Sequence, residues 1–179
     1  METNRYAILT VGISGSGKTT WAKNLINHIE TPGFLKDRDF VRVNYDDIRK
    51  TLVGDLIEPD YYSRPNRQDL ESIVFTTADS MLGTIGLMRR NLIPIFDNTN
   101  LRIKYVTKLI NQLEQYDYNV LFKFFPVKPG VAVNRVYHRD FEEVENNSER
   151  TDYISKQYQQ YLTFRKDFDT HFKNYFIIE

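Results

Sequence analysis

Cysteine is absent from this 179-residue chain. Disulfides, Cys-ligated zinc, iron–sulfur clusters and thiol catalysis are therefore excluded together, and the absence fits a reducing cytoplasm. Histidine is scarce: His28, His138 and His171 are scattered and make no metal-ligand spacing. No run of about 18 uninterrupted apolar residues occurs, which argues against a helical membrane span. The start, Met1-Glu2-Thr3-Asn4-Arg5, lacks the cationic opening, apolar stretch and cleavage site of a signal peptide, so a cytoplasmic protein is expected. Excess charge of either sign is also missing, with 24 basic and 24 acidic residues. A protein that coats nucleic acid carries surplus Lys and Arg, so any nucleic-acid contact here is expected at a local groove engaging few phosphates.

What is present is a globular composition. Hydrophobic residues make up 41% and charged residues 27%, close to soluble averages, and the length suits one domain over residues 1–179. Arg5 to Val11 is a short apolar run of strand length. Trp21, Leu25, Ile26 and Ile29 then recur at helical spacing, with Thr31-Pro32-Gly33 as the expected stop and Trp21 as a core anchor. Phe40 to Asn44 alternates like a strand, and Tyr45 to Val53 reads as a short helix. Leu70, Ile73, Val74, Thr77, Ala78, Met81, Leu82, Ile85 and Met88 predict a long helix with one apolar stripe, ending at Arg89-Arg90-Asn91.

Leu92 to Phe96 predicts a buried strand, although Pro94 cannot donate to a ladder. Ile103, Val106, Ile110 and Leu113 predict a helix, Tyr118 to Phe125 a strand, and Gly130 to Asp140 another helix. Tyr153 to Phe168 carries the pattern of a final long helix, with a closing strand over Phe172 to Ile178. Strands alternating with helices imply an α/β fold, with a mainly parallel central sheet flanked by helices. Ligands of such sheets bind at the carboxyl ends of the strands, where each motif below falls.

Gly12-Ile13-Ser14-Gly15-Ser16-Gly17-Lys18-Thr19 matches G-x-x-x-x-G-K-[ST] at every fixed position, between a strand and a helix. Glycines let backbone wrap closely around phosphate, and the amides and helix N-terminus offer partial positive charge. Gly12, Ser14, Gly15, Ser16, Gly17, Lys18, Thr19 and Thr20 are the expected ATP-binding residues. Lys18 would reach the β and γ phosphates, and the Thr19 hydroxyl would complete a magnesium shell. A plain glycine-rich turn is the bland alternative.

Asp46 and Asp47 follow the second strand. A carboxylate fixed beside an acceptor hydroxyl can take its proton as a phosphoryl bond forms. Arg49, three residues after Asp46, has a planar fork suited to an acceptor phosphate. The alternative is an acidic helix N-terminus, in which Asp46 or Asp47 caps free amides.

The set GISGSGKTTW, NYDDIRK and DNTN (Asp97 to Asn100) resembles the kinase domain of polynucleotide 5′-hydroxyl kinases, over about residues 6 to 165. That resemblance implies a P-loop kinase fold with a helical lid, here about residues 129 to 150, and it implies ATP and Mg²⁺ as cofactors. Asp46 would be the general base for a 5′-hydroxyl of DNA or RNA, and Arg49 would hold the phosphate beside the acceptor. Asn98, Thr99 and Asn100 would line the acceptor site, and Asp97 would serve the metal together with Thr19. Arg135 and Arg139 would be lid arginines that stabilise transferred charge; solvated surface cations are the alternative. DNTN read alone is a helix-capping turn.

Some members carry an acid where this chain has Asn98. Phosphatase or ligase modules that accompany some relatives are not expected within these residues. Tyr61, Tyr62, Tyr153, Tyr158 and Tyr161 offer rings for stacking single-stranded bases, although packing is the commoner use of such rings. Other acceptors stay open: a hydroxymethylated base in DNA, a nucleoside or another small molecule. So do an ATPase switch and a degenerate kinase acting as scaffold.

Overall fold

The computed structural model describes residues 5–29, 31–54, 65–88, 92–140 and 148–178. The strands are β1 (Arg5–Val11), β2 (Asp39–Val43), β3 (Leu92–Phe96), β4 (Tyr118–Phe124) and β5 (Phe176–Ile178). The helices are α1 (Lys18–Ile26), α2 (Tyr45–Val53), α3 (Arg67–Leu87), α4 (Ile103–Glu114), α5 (Pro129–Asp140) and α6 (Ser148–Phe172). The five strands form one sheet in the order β2-β3-β1-β4-β5. Every pair is parallel.

A strand turns successive side chains to opposite faces, and β1 shows what that does. Ala7, Leu9 and Val11 enter a core shared with α3, α4 and α6, whereas Ile8 enters a second core with Ala22 and Leu25 of α1. Both faces of the sheet are thus covered, as parallel sheets require. Pro94 lies in an inner strand. It pairs in register with Val41 of β2, and the β3–β1 ladder begins one residue later, at Ile95.

Several boundaries differ from the sequence reading. α1 ends at Ile26, where His28 adopts a left-handed φ of 56°. Ile29 therefore falls outside the helix and is exposed, and Trp21 is only partly buried, edge-on to Phe125. Thr31-Pro32-Gly33 does not end this helix; it leads into a 3-10 turn at Gly33–Leu35. In α3, Val74, Ala78, Leu82 and Ile85 are buried, but Ile73 and Met88 face solvent. Arg89, Arg90 and Asn91, expected at its C-terminus, lie outside the described residues. Arg5 of β1 instead donates to the Gly86 carbonyl at 2.9 Å and to Tyr116 O at 3.0 Å. Asn44 belongs to the N-terminus of α2 rather than to the strand. α6 runs on to Phe172 because Phe164, Phe168 and Phe172 pack against Phe122 and Phe124, which shortens the closing strand.

Candidate active site

The carboxyl ends of β1, β2 and β3 deliver the loop of Gly12 to Gly17, the start of α2 and the segment Asp97 to Asn100 to one edge of the sheet. Gly15 and Gly17 have φ of 76° and 99°, values that side chains with a Cβ rarely adopt. Gly15 is also wedged against α5: an added Cβ would meet the Ala132 carbonyl oxygen at 2.5 Å and Val136 Cγ2 at 2.9 Å. The first intrahelical bond of α1 is Trp21 N–H to Gly17 O. The amides of Lys18, Thr19 and Thr20 therefore lie at a helix start that draws anions. Lys18 is 8% exposed, and its Nζ donates to Ile13 O at 2.7 Å, so the ammonium sits within the loop. Ser16 is buried, Ser14 partly so, and Thr19 and Thr20 are exposed.

The DNTN segment is a buckle between β1 and β3. Thr10 Oγ1 donates to the carbonyls of Phe96 and Asn98, and Asn100 Nδ2 donates to Thr10 O at 2.7 Å. Thr99 O accepts from the Gly12 amide at 3.1 Å. Asn100 takes a left-handed φ of 49°, which Asn tolerates better than most residues. Asn98 Oδ1 accepts from the Tyr45 amide at 3.0 Å, tying the buckle to α2. The side chains of Asn98 and Asn100 are thus engaged with backbone. Neither caps α4, whose N-cap is Arg102 with no side-chain cap bond.

At the start of α2 the cap is Asn44, whose Oδ1 accepts from the Asp47 amide at 3.0 Å. That leaves Asp46 and Asp47 in the first turn, where their charge suits the helix dipole. Asp46 is 67% exposed, and its Oδ1 accepts from Arg49 Nη1 at 2.7 Å. Arg49 also makes a bidentate pair with Glu71 of α3, at 2.8 and 2.7 Å. Tyr45 turns edge-on to Phe75, and burial raises its phenol pKa above 10.0, with Asp79 adding to the rise. Glu71 and Phe75 line a cavity of about 700 Å³ together with Pro65, Arg67, Gln68 and Ser72.

Asp97 is wholly buried at the end of β3. Its Oδ2 accepts from Arg42 Nη1 at 2.8 Å, and Arg42 Nη2 reaches Asp47. Asn44 Nδ2 donates to the Asp97 carbonyl. Asp97 Oδ1 is buried with no hydrogen-bond partner among the described residues. A carboxylate oxygen orphaned in this way, in the segment whose Thr99 carbonyl takes the Gly12 amide of the loop, has the oxygen-donor chemistry that Mg²⁺ takes. Among the described residues no cluster of three His, Cys, Asp or Glu is arranged to hold a metal.

Arg135 projects from α5 across the loop, its Nη1 4.0 Å from where a Cβ on Gly17 would sit. Position 139 is in the same helix, but the Arg139 side chain lies outside the described residues, as do Tyr61, Tyr62, Glu142 and Glu143. His138 is exposed. Tyr158 and Tyr161 stack on each other in α6, and Tyr161 is buried.

Sequence reasoning missed Arg42, Asn44, Glu71 and Gln157. Gln157 of α6 accepts from the Ser14 amide at 2.8 Å. Three of the four carried a signal, Asn44 as a cap-prone residue directly before the helix read over Tyr45 to Val53. Arg42 is a charge in the middle of an apolar strand, and Gln157 interrupts the apolar stripe of a helix. Glu71 has none, because its partner lies 22 residues away on another helix.

Comparisons with known proteins agree with this architecture. No curated protein sequence matches the chain. Among solved structures, a chain from work on the PezAT chromosomal toxin–antitoxin system of Streptococcus pneumoniae superposes with a TM-score of 0.55 at 19% identity, covering 77% of this chain and 53% of that one. A chain of the Pnkp1/Rnl/Hen1 complex gives 0.54 at 23% identity, covering 75% and 40%. Shikimate kinase from Acinetobacter baumannii, in complex with shikimate, gives 0.49 at 17%, covering 99% and 84%. This chain thus spans about half the length of the first neighbour and two fifths of the second. The fold is α/β, with a five-stranded parallel sheet flanked by helices. The family model AAA_33, described as an AAA domain, matches residues 8–164, and the chain belongs to that family.

Proposed function

We propose that the protein is an ATP-dependent phosphotransferase that moves the γ-phosphate of ATP to a hydroxyl, with the 5′-OH end of DNA or RNA as acceptor. One observation carries the reading. The phosphate loop and an exposed carboxylate paired with arginine, Asp46 with Arg49, follow the carboxyl ends of β1 and β2, on the same side of the sheet with β3 between them. A switch that only hydrolyses ATP has no need for this second carboxylate. The fold neighbour in the Pnkp1/Rnl/Hen1 complex is consistent with a nucleic-acid acceptor.

The loop and Lys18 hold the triphosphate, and Asp46 accepts the proton of the attacking hydroxyl. Arg49, held by Glu71, orients that carboxylate and presents cationic charge to an acceptor phosphate. Arg135, with Arg139 from the same helix, offsets charge on the transferred group. Thr19 and Asp97 would hold Mg²⁺, which supplies charge neutralisation along the phosphates.

Transfer from γ-labelled ATP to a 5′-OH oligonucleotide, to a nucleoside, to DNA bearing hydroxymethylated bases, and to water in the absence of acceptor tests the reading. Label on the oligonucleotide 5′ end is expected; release as inorganic phosphate alone, with or without acceptor, would refute it. Asp46→Asn is expected to lower transfer at least about 100-fold while leaving ATP affinity nearly intact. Lys18→Ala is expected to cripple ATP use itself.

A further inference from the structure

Helix α6 turns an apolar stripe inward: Ile154, Tyr161, Phe164, Phe168 and Phe172 are all buried. Gln157 sits in the same stripe and is only 5% exposed. A primary amide placed there costs free energy unless it is bonded, and a local rule broken in the core marks a functional position more often than a packing one. Its Oε1 accepts from the backbone N–H of Ser14, the third residue of the phosphate loop, at 2.8 Å.

Because a backbone N–H needs an acceptor, this bond fixes which end of the amide is oxygen, so Nε2 is the donor end. Among the described residues, the buried polar side-chain atoms without a partner are Arg5 Nε, Thr31 Oγ1 and Asp97 Oδ1. Nε2 is not one of these, and it bonds to no described residue, so it keeps access to solvent beside the loop. Ser14 precedes the amides that run from Gly15 to the start of α1. Lys18 Nζ, the group that the motif directs to the β and γ phosphates, rests on Ile13 O at 2.7 Å, and Ser14 is the next residue, so a donor beside Ser14 lies on the terminal-phosphate side of the loop.

We propose that Gln157 is a further residue of the triphosphate site: Oε1 is locked on Ser14, and Nε2 donates to an oxygen of the terminal phosphate. The donor is neutral, so it distinguishes ATP from ADP without adding charge to the site. It also ties occupancy of the loop to α6, the longest helix among those described. This inference rests on the reading of the loop as an ATP site.

The test titrates ATP and ADP, without acceptor, into wild type, Gln157→Met and Gln157→Glu. Met fills the volume with neither donor nor acceptor; Glu keeps an acceptor for Ser14 but loses the donor and adds negative charge. Gln157→Met is expected to weaken ATP about tenfold and ADP less than about threefold, and Gln157→Glu to weaken ATP further. Thermal unfolding checks the fold, and Gln157→Glu carries the test should Gln157→Met not fold, because it preserves the Ser14 bond. Equal losses for ATP and ADP, or no loss, overturn the role of Gln157 and leave the ATP reading standing. A wild type that binds neither nucleotide overturns both.

Discussion

Arg42 shows how one side chain can outweigh its neighbours at this site. It bridges Asp97, whose side chain is 0% exposed, and Asp47, whose side chain is 55% exposed. The two halves of the bridge differ in worth. An exposed pair contributes about 0–1 kcal/mol, whereas removing the partner of a buried charge costs about 3–5 kcal/mol, because the remaining charge is left without compensation. Arg42→Ala is therefore expected to destabilise the protein by about 3 kcal/mol in urea unfolding, and Asp47→Ala by less than about 1 kcal/mol. Comparable losses in the two variants would contradict this division. Arg42→Lys is not expected to restore wild-type stability, since a single ammonium cannot reproduce the planar two-pronged contact. The sequence marks Arg42 as a charge within an apolar strand but does not show its partner, since Arg42 and Asp97 are 55 residues apart. The phosphate loop, by contrast, was legible residue by residue, since its chemistry is local: glycines at positive φ, a lysine and a hydroxyl at a helix start.

At the scale of elements, α2 depends on Asn44. The side chain of Asn44 caps the Asp47 amide, and its Nδ2 holds the Asp97 carbonyl, so one residue joins β2, α2 and the end of β3. Loss of an N-cap costs about 1 kcal/mol. Asn44→Ala is expected to lose about 1–2 kcal/mol of stability and to lower kcat more than it raises KM for ATP, because Asp46 sits in the first turn that the cap fixes. A rise in KM alone would show that α2 orientation does not matter to transfer. The sequence suggested an aspartate as cap, and it was the register of β2 that assigned the role to Asn44. The strand ends at Val43, paired with Phe96, and the next residue must turn. Helix lengths were the least legible feature. α1 stops at Ile26 ahead of the left-handed turn at His28, and α6 extends to Phe172 because of the rings it meets in the core; periodicity alone reports neither.

At the scale of the whole molecule, the C-terminal segment closes the fold against α4. Tyr175 donates to Glu114 Oε1 at 2.7 Å. Burial pushes the Tyr175 phenol up to about 12 from 10.0, with the hydrogen bond to Glu114 and the charge of that carboxylate adding to the rise. The folded chain therefore holds this proton more tightly than the unfolded chain does. The resulting stability is fully present below about pH 10 and is lost as pH rises through about 12. Tyr175→Phe is expected to lower the thermal midpoint at neutral pH and to flatten its decline between about pH 10 and 12. A decline as steep as that of wild type would assign the alkaline loss elsewhere, for instance to Tyr45 and Tyr161, whose phenols are also raised by burial.

By itself, the sequence determined the class of fold and the place of the phosphate loop, because both rest on short-range pattern: strand-length apolar runs, helical spacing and a loop motif that needs only its own residues. It also placed Asp46 and Arg49 one helical turn apart, and they meet as that spacing requires. Only the tertiary structure decided which residues hold these groups still. Arg42 reaches Asp97, Glu71 takes Arg49, and Gln157 takes Ser14 across separations of 55, 22 and 143 residues. The strand order β2-β3-β1-β4-β5 and the packing of α3 and α6 create those meetings, and no local pattern encodes a contact between side chains that come together only after the sheet has formed.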